Sequence, residues 1–265
     1  MASIVPRLIA SDLDGTLLRS DSSASPRTKH VLRALAARGV HVVLVTGRPF
    51  RRVRGIARDL QLSGTAICAN GALLYDLARD EVLEQTTLSA DVAHALIHQL
   101  REKLPDICFA VETGRSVARE AAYARHRPTQ EGAEAVIADA IELSARGASK
   151  LIAMHPTLPL EEFFESVREI VADRASVTHA GSPFLEIAAA GVTKAWALAA
   201  LCERLQVAPR EVIAFGDMPN DLPMLEWAGR GVAVRNAHPS VLAAATAITL
   251  SNDEDGVADY LERYI

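Results

Sequence analysis

The stretch "IASDLDGTLL", residues 9–18, decides how this chain is read. An apolar run ends in two aspartates, Asp12 and Asp14, and Gly15 and Thr16 follow at once. A short buried strand would deliver both carboxylates to its C-terminal end, and the glycine would turn the chain. Two negative charges beside each other repel unless something positive joins them. The rest of the sequence has to supply that partner.

Outward from this stretch, strands and helices alternate. "SPRTKHVLRALAARG" begins with Ser25 as an N-cap and Pro26 at the first helical position, and it ends at Gly39. "VHVVLVT" is β-branched and almost wholly apolar, as a strand covered on both faces should be. "PFRRVRGIARDLQL" reads as a helix and "TAICAN" as a strand. The last third repeats the pattern. "TKAWALAALCERLQV" is a helix that Thr193 can cap, and the strand "EVIAFGD" comes after Pro209. The helix "PNDLPMLEWAG", the strand "GVAVRN", the helix "PSVLAAA", the strand "AITL" and the closing helix "EDGVADYLERYI" complete it. Such alternation predicts parallel βαβ units.

The middle of the chain differs. "ALLYDLARDEVLEQTTL" reads as two strands joined by a hairpin, and "SADVAHALIHQLREKL" as a helix capped by Ser89. "ICFAVET", "KLIAMH", "ASVTHAG" and "FLEIAA" read as strands around the helix "LEEFFESVREIVAD". Residues 113–148 are polar and weakly periodic, and no element is assigned to them. The expected fold class is α/β. Residues 1–79 and 185–265 would form a Rossmann-like, doubly wound parallel sheet, interrupted by an inserted α+β domain at 80–184.

Composition narrows the function. Hydrophobic residues make up 49% of the 265 and aromatics only 5%, so the core must be built from Ala, Leu, Val and Ile. A net charge of −5, with no basic run longer than "GRPFRR", argues against a nucleic-acid partner. Cys68, Cys108 and Cys202 are far apart and read as buried thiols, not a disulfide framework or a zinc site. His94 and His98 share a helix face, but no third ligand accompanies them. Trp196 and Trp227 read as packing residues. The N-terminus lacks the apolar core of a signal peptide, and no run of roughly 18 apolar residues would span a bilayer. The expected setting is the cytoplasm, with no membrane partner, as a monomer or homodimer.

Polar residues gather where the core strands should end. Asp12 and Asp14 follow the first, Thr46, Gly47 and Arg48 the second, Asn70 and Gly71 the third, and Asp217, Asn220 and Asp221 follow "EVIAFGD". In an open parallel sheet these ends face one crevice, so distant residues converge. Several carboxylates without nearby His or Cys suit Mg²⁺, which binds through carboxylates, waters and a substrate phosphate. Thr46 is expected at a helix start, where free N–H groups favour anions. Lys194, near the start of another helix, can add a point charge. Together these features describe a phosphate site.

At this point the chain resembles the haloacid dehalogenase superfamily, specifically its Cof-type phosphatases, subfamily IIB. "DLDGT" at 12–16, "VTGR" at 45–48, "GVTK" at 191–194 and "GDMPND" at 216–221 are similar to the family's four motifs in order, and "ANGA" at 69–72 is typical of Cof-type members. The resemblance implies a Mg²⁺-dependent phosphomonoesterase with an α+β cap of the C2B type, acting on small phosphorylated metabolites such as sugar phosphates or phosphorylated cofactors. Asp12 would be the nucleophile that forms an aspartyl-phosphate, Asp14 the acid and base, and Lys194 the third catalytic residue. Asp12, the backbone carbonyl of Asp14, Asp217 and Asp221 would form the metal site. Thr46, Gly47, Arg48, Asn70 and Asn220 would form the phosphate and substrate side, with Arg48 and Asn70 at the mouth.

Two departures stand out. Ala189 and Ala195 replace the proline and glycine that many relatives carry around the third motif, and Arg235 replaces a small residue in "VRNA". Arg235 reads as a surface charge, the alternative being an extra contact on the phosphate side. The stretch at 112–128, with Arg115, Arg119, Tyr123, Arg125 and Arg127, reads as a solvated loop and helix, the alternative being a specificity surface for a polar or anionic group. The competing functions are a phosphomutase of the same fold and a non-catalytic sensor of a phosphate ligand. The acid/base position at Asp14 disfavours the sensor.

Overall fold

The structure is a computed structural model that describes residues 6–127 and 136–265. The chain first runs through β1 (Leu8–Ser11), α1 (Pro26–Ala37), β2 (His41–Val45), α2 (Phe50–Leu60), β3 (Thr65–Cys68), β4 (Leu73–Asp76) and β5 (Glu81–Gln85). Next come α3 (Ala90–Lys103), β6 (Cys108–Glu112), β7 (Val117–Arg119), α4 (Ala121–His126), α5 (Ala140–Leu143), β8 (Lys150–Met154), α6 (Leu160–Val171), β9 (Ala175–Thr178) and β10 (Leu185–Ala189). It closes with α7 (Lys194–Leu205), β11 (Val212–Gly216), α8 (Leu222–Trp227), β12 (Arg230–Ala233), α9 (Pro239–Ala244), β13 (Ala247–Ile248) and α10 (Gly256–Leu261). Two compact units result: one from the residues up to Glu84 with Thr193–Ile265, the other from Gln85–Val192.

The first unit is the expected α/β core. Its sheet has the order β13-β12-β11-β1-β2-β3-β4-β5. The pairs from β13 through β3 are parallel, and β4 turns back antiparallel on β3. The strands are short and apolar because they are covered on both faces. Leu8, Ile9 and Ala10 of β1 are fully buried, as are Ala214 and Phe215 of β11. The helices start where the sequence signals a cap. Ser25 Oγ accepts the Thr28 N–H at 3.0 Å, and Thr193 Oγ1 accepts that of Trp196 at 3.1 Å.

The second unit is α+β. Its five strands, β7-β6-β8-β10-β9, pair antiparallel throughout. Side chains alternate across it, as the strand period requires. Phe109, Val111, Leu151, Ala153, Leu185 and Ile187 share one hydrophobic cluster with Leu96, Ile97 and Leu100 of α3 and Phe163 and Val167 of α6. Cys108, Ala110 and Met154 point the other way and meet Tyr123 of α4.

Several expectations need correction. The inserted unit does not run from 80 to 184. Glu81–Gln85 stays in the first sheet as the outer half of a hairpin, and Leu185–Ala189 belongs to the second sheet, where it pairs with β8 and β9. Within 113–148 lie β7, α4 and α5, of three, six and four residues, too short for a hydrophobic period to show. The stretch 112–128 is not uniformly solvated. Arg119 and Tyr123 are buried, and the Arg127 guanidinium lies 4.6 Å over the Phe184 ring, while Pro128 falls outside the described residues. Trp196 is 47% exposed, so it is not a packing residue. Arg235 is exposed as expected, 3.6 Å from Glu254.

Phe109 is the largest side chain held in the second unit's cluster without solvent contact. Phe109→Ala should lower stability by about 3–5 kcal/mol through lost burial and the cavity left behind. Urea unfolding followed by circular dichroism would measure it.

Candidate active site

The chain leaves β1 in one direction to β2 and β3, then returns to β11 on the other side of β1. The order reverses between β1 and β11, and ligands of such sheets bind beyond the carboxyl ends at that point. Asp12 is the first residue past β1, and its N–H donates to the Phe215 carbonyl of β11 at 3.0 Å. Asp217 is the first residue past β11. The sheet therefore sets two aspartates, far apart in sequence, side by side.

Lys194 opens α7. A cation at a helix N-terminus is disfavoured by the helix dipole, so other charges must hold it there. Its Nζ donates to Asp12 Oδ1 at 2.6 Å and to Asp221 Oδ1 at 2.7 Å, and the side chain is 1% exposed. The second oxygen of Asp221 accepts the backbone N–H groups of Asp217 and Met218, both at 3.0 Å. Asp221 thus fixes the turn after β11 and steers the ammonium. Thr16 donates its hydroxyl to Asp217 Oδ1 at 2.7 Å and ties that carboxylate to the loop after β1. Thr16 was legible in the sequence only as a turn residue; its place in "DLDGT" was the available signal.

Two glycines make this packing possible. Gly15 has φ +77°, and a Cβ there would come within 2.4 Å of Asp217 Oδ2. Gly71 has φ +107°, and a Cβ would lie 2.3 Å from the Thr193 carbonyl. The loop after β3 can therefore press against the start of α7 and set the root of Lys194.

Asp12, Asp217 and Asp221 are all buried, and each offers an oxygen within 4.8 Å of the others, a group that could hold a metal ion. Three carboxylates face one ammonium, so two formal negative charges lie in excess. Burial, with the neighbouring carboxylates adding to it, raises Asp12 well above the usual range despite Lys194. Burial and Asp221 push Asp217 up to about 7. Burial works to lower the Lys194 ammonium, but Asp12 and Asp221 prevail and hold it above the ordinary lysine value. A hard divalent cation fits this all-oxygen donor set and would cancel the excess charge.

The loop after β2 forms the second wall. Thr46 is not at a helix start, since α2 begins at Phe50 and the Thr46 N–H already donates to the Ile67 carbonyl at 2.8 Å. Its hydroxyl accepts the Arg48 N–H at 3.1 Å and keeps its own hydrogen for a second partner. Gly47 is the link between these two residues. Arg48 does not stand free at the mouth. Its Nε donates to Asp14 Oδ2 at 2.6 Å and a terminal nitrogen pairs with Oδ1, so the guanidinium grips both oxygens and is itself raised by the contact. The Asp14 side chain is half-exposed, and its carboxylate is not in the group around Lys194. Asn70, at φ 56°, is buried and accepts from Asn220 Nδ2 at 3.2 Å. The Asn220 Oδ1 is buried with no partner among the described residues. Asn236, not singled out by sequence, donates to the Gly15 carbonyl at 2.8 Å.

Comparison with known proteins places the chain in a family. A family model described as haloacid dehalogenase-like hydrolase matches residues 9–261. The chain belongs to the haloacid dehalogenase-like hydrolases. It is similar to the 5-amino-6-(5-phospho-D-ribitylamino)uracil phosphatase YitU of Bacillus subtilis (strain 168), 30% identical over 98% of this chain and 97% of that one. It is also 30% identical to the HMP-PP phosphatase of Serratia proteamaculans (strain 568), over 98% and 95%. The crystal structure of TM0651 from Thermotoga maritima superposes with a TM-score of 0.78 at 29% identity, covering 97% of each chain. The chain spans only 45% of another relative, Endoribonuclease YBEY, chloroplastic, of Arabidopsis thaliana. Within the family this hydrolase is a phosphomonoesterase of the Cof type. No helix among the described residues is long and apolar enough to cross a membrane.

The raised Asp217 has a stability consequence for this hydrolase. A carboxyl lifted from 3.8 to about 7 on folding favours the folded state below pH 4, and that contribution is lost as pH rises through 7. The loss reaches roughly 4 kcal/mol for a shift of this size. Metal-free protein in EDTA should therefore weaken between pH 4 and pH 7. Added Mg²⁺ should stabilise wild type, and Asp217→Asn should flatten the pH slope and remove that gain. Thermal melts across pH would show both.

Proposed function

We propose that this hydrolase removes phosphate from small phosphorylated metabolites through an aspartyl-phosphate on Asp12, with Mg²⁺ as cofactor. The observation that carries the reading is the buried contact of Lys194 with Asp12. An acidic nucleophile is held next to a permanent cation, at the crevice where the sheet reverses. The full-length relatives named as phosphatases of a ribitylamino-uracil phosphate and of HMP-PP support a small-molecule substrate.

Asp12, Asp217 and the backbone carbonyl of Asp14, backed by Asp221, would hold Mg²⁺, which would supply the positive charge that lets an anionic phosphate approach a carboxylate. Asp12 engages Lys194 through Oδ1. Its other oxygen would attack phosphorus, forming an O–P bond while the bond to the leaving oxygen breaks. Asp14 would give that oxygen a proton and later take one from the water whose oxygen bonds to phosphorus as the Asp12–phosphorus bond breaks, freeing inorganic phosphate and the Asp12 carboxylate. Lys194 and the Thr46 hydroxyl would stabilise charge on the non-bridging oxygens, from positions already fixed before the substrate arrives. Asp221 would act through Lys194 by holding its ammonium.

A panel of metabolite phosphates, with an aryl phosphate included, tests this through phosphate release with and without Mg²⁺. Wild type should hydrolyse some members only with the metal, and Asp12→Asn should lose activity on the order of a thousandfold or more. Asp14→Asn should lose about 10²–10⁴-fold on alkyl phosphates and less on the aryl phosphate, whose leaving group needs no proton. Turnover that survives Asp12→Asn contradicts the proposal.

A further inference from the structure

We propose that Asn236 is a positioning residue for the metal site, fixing the Gly15 peptide in the loop after β1. This rests on the metal ligands proposed above. Gly15 lies between the Asp14 carbonyl, one of those ligands, and Thr16, whose hydroxyl donates to Asp217. The residue has to be glycine, since its φ is +77° and a Cβ would run into the Asp217 carboxylate. The same choice brings a liability, because a glycine backbone is the most freely turned of all. Mg²⁺ demands near-ideal octahedral geometry, so a ligand beside so loose a peptide has to be held by something else.

Asn236 does this from the loop after β12. Its Nδ2 donates to the Gly15 carbonyl at 2.8 Å, and its Oδ1 accepts the Asn252 backbone N–H at 2.9 Å. A carbonyl on one side and an N–H on the other leave the amide a single orientation. Asn252, from the loop after β13, is buried, and its own Nδ2 donates to the Leu18 carbonyl at 2.9 Å. Two residues beyond Asn236, the His238 N–H donates to the Asp217 carbonyl at 2.8 Å. The loop after β12 therefore touches both strand ends that carry the proposed ligands, β1 through Gly15 and β11 through Asp217. Asn236 itself is exposed. Water can take its place on the Gly15 carbonyl, so the bond adds little to folding. A mobile water does not fix the direction of that peptide, and the amide does. The effect of Asn236 falls on metal affinity more than on stability.

Thermal melts of the metal-free full chain, titrated with Mg²⁺ alone, read this without substrate, because the rise in Tm with concentration yields Kd. Asp217→Asn serves as the blank for general salt effects. Asn236→Ala should weaken Mg²⁺ binding about tenfold, the lower end of what contacts that orient metal ligands contribute, while its Tm in EDTA stays near that of wild type. Asn252→Ala leaves the Leu18 carbonyl without its donor, and should lower Tm in EDTA with the Mg²⁺ affinity close to wild type. Asn236→Gln, with both amide groups on a longer side chain, should recover part of the affinity. It also carries the comparison if the alanine variant does not fold. With an aryl phosphate, the Mg²⁺ needed for half-maximal rate should rise in Asn236→Ala in the same proportion as Kd. Wild-type Mg²⁺ affinity in both Asn236 variants, or a lower Tm in EDTA without a change in affinity, would overturn the proposal and leave the phosphatase reading intact. A wild type that gains no more from Mg²⁺ than the blank would overturn the proposal and the metal assignment together. Turnover that does not depend on Asp12 would overturn the phosphatase reading alone.

Discussion

Lys194 Nζ lies 2.6 Å from Asp12 and 2.7 Å from Asp221, almost sealed from solvent, and much of the core unit serves to keep it there. A buried ammonium is tolerable only with its partners in place, and taking away one of them costs about 3–5 kcal/mol. Each partner is pinned from a separate direction. Strand β1 and its hydrogen bond to β11 fix Asp12. Two backbone N–H groups fix Asp221. The Thr193 cap and the close approach of Gly71 fix the start of α7. The lysine does for the folded chain part of what a bound cation would complete.

One ammonium does not balance three carboxylates, and this imbalance links structure to chemistry. Without a metal, burial drives Asp12 and Asp217 toward their protonated forms. A divalent cation held there would restore the charged forms, which would couple metal binding, ionisation of Asp12 and stability of the crevice. The second wall, from Thr46 to Arg48, adds a further layer. There an acidic residue is held out of the cluster by a guanidinium. The two aspartates of "DLDGT" thus occupy different electrostatic settings, one buried against lysine and one half-exposed against arginine. On the proposed mechanism, that difference would suit Asp12 to attack and Asp14 to carry protons.

Much of the core was legible because its signals are local. Ser25, Ser89 and Thr193 each cap the helix that the sequence assigns to them. The β-branched run at 41–45 and the motif residues at strand ends follow from a doubly wound sheet alone. What was not legible depends on distant partners. Arg48 reads as a mouth residue until Asp14, 34 positions away, is seen beneath it. Nothing near Asn70 in sequence announces its contact with Asn220. The unit boundary moved because strand pairing, not composition, decides which sheet Glu81–Gln85 and Leu185–Ala189 join. The short elements between 117 and 143 are positioned by packing onto β6, so they carry no periodicity of their own.

The central claim is that Asp12, held by Lys194, carries the phosphoryl group during turnover. The most direct measurement is to quench the reaction in acid during turnover, reduce the denatured protein with borohydride, and map the modified residue by peptide mass spectrometry. Hydride converts an acyl phosphate to an alcohol, so homoserine at position 12 is the expected product, formed only with substrate and metal present. Unmodified Asp12 under conditions of rapid turnover, or modification at another residue, would contradict it.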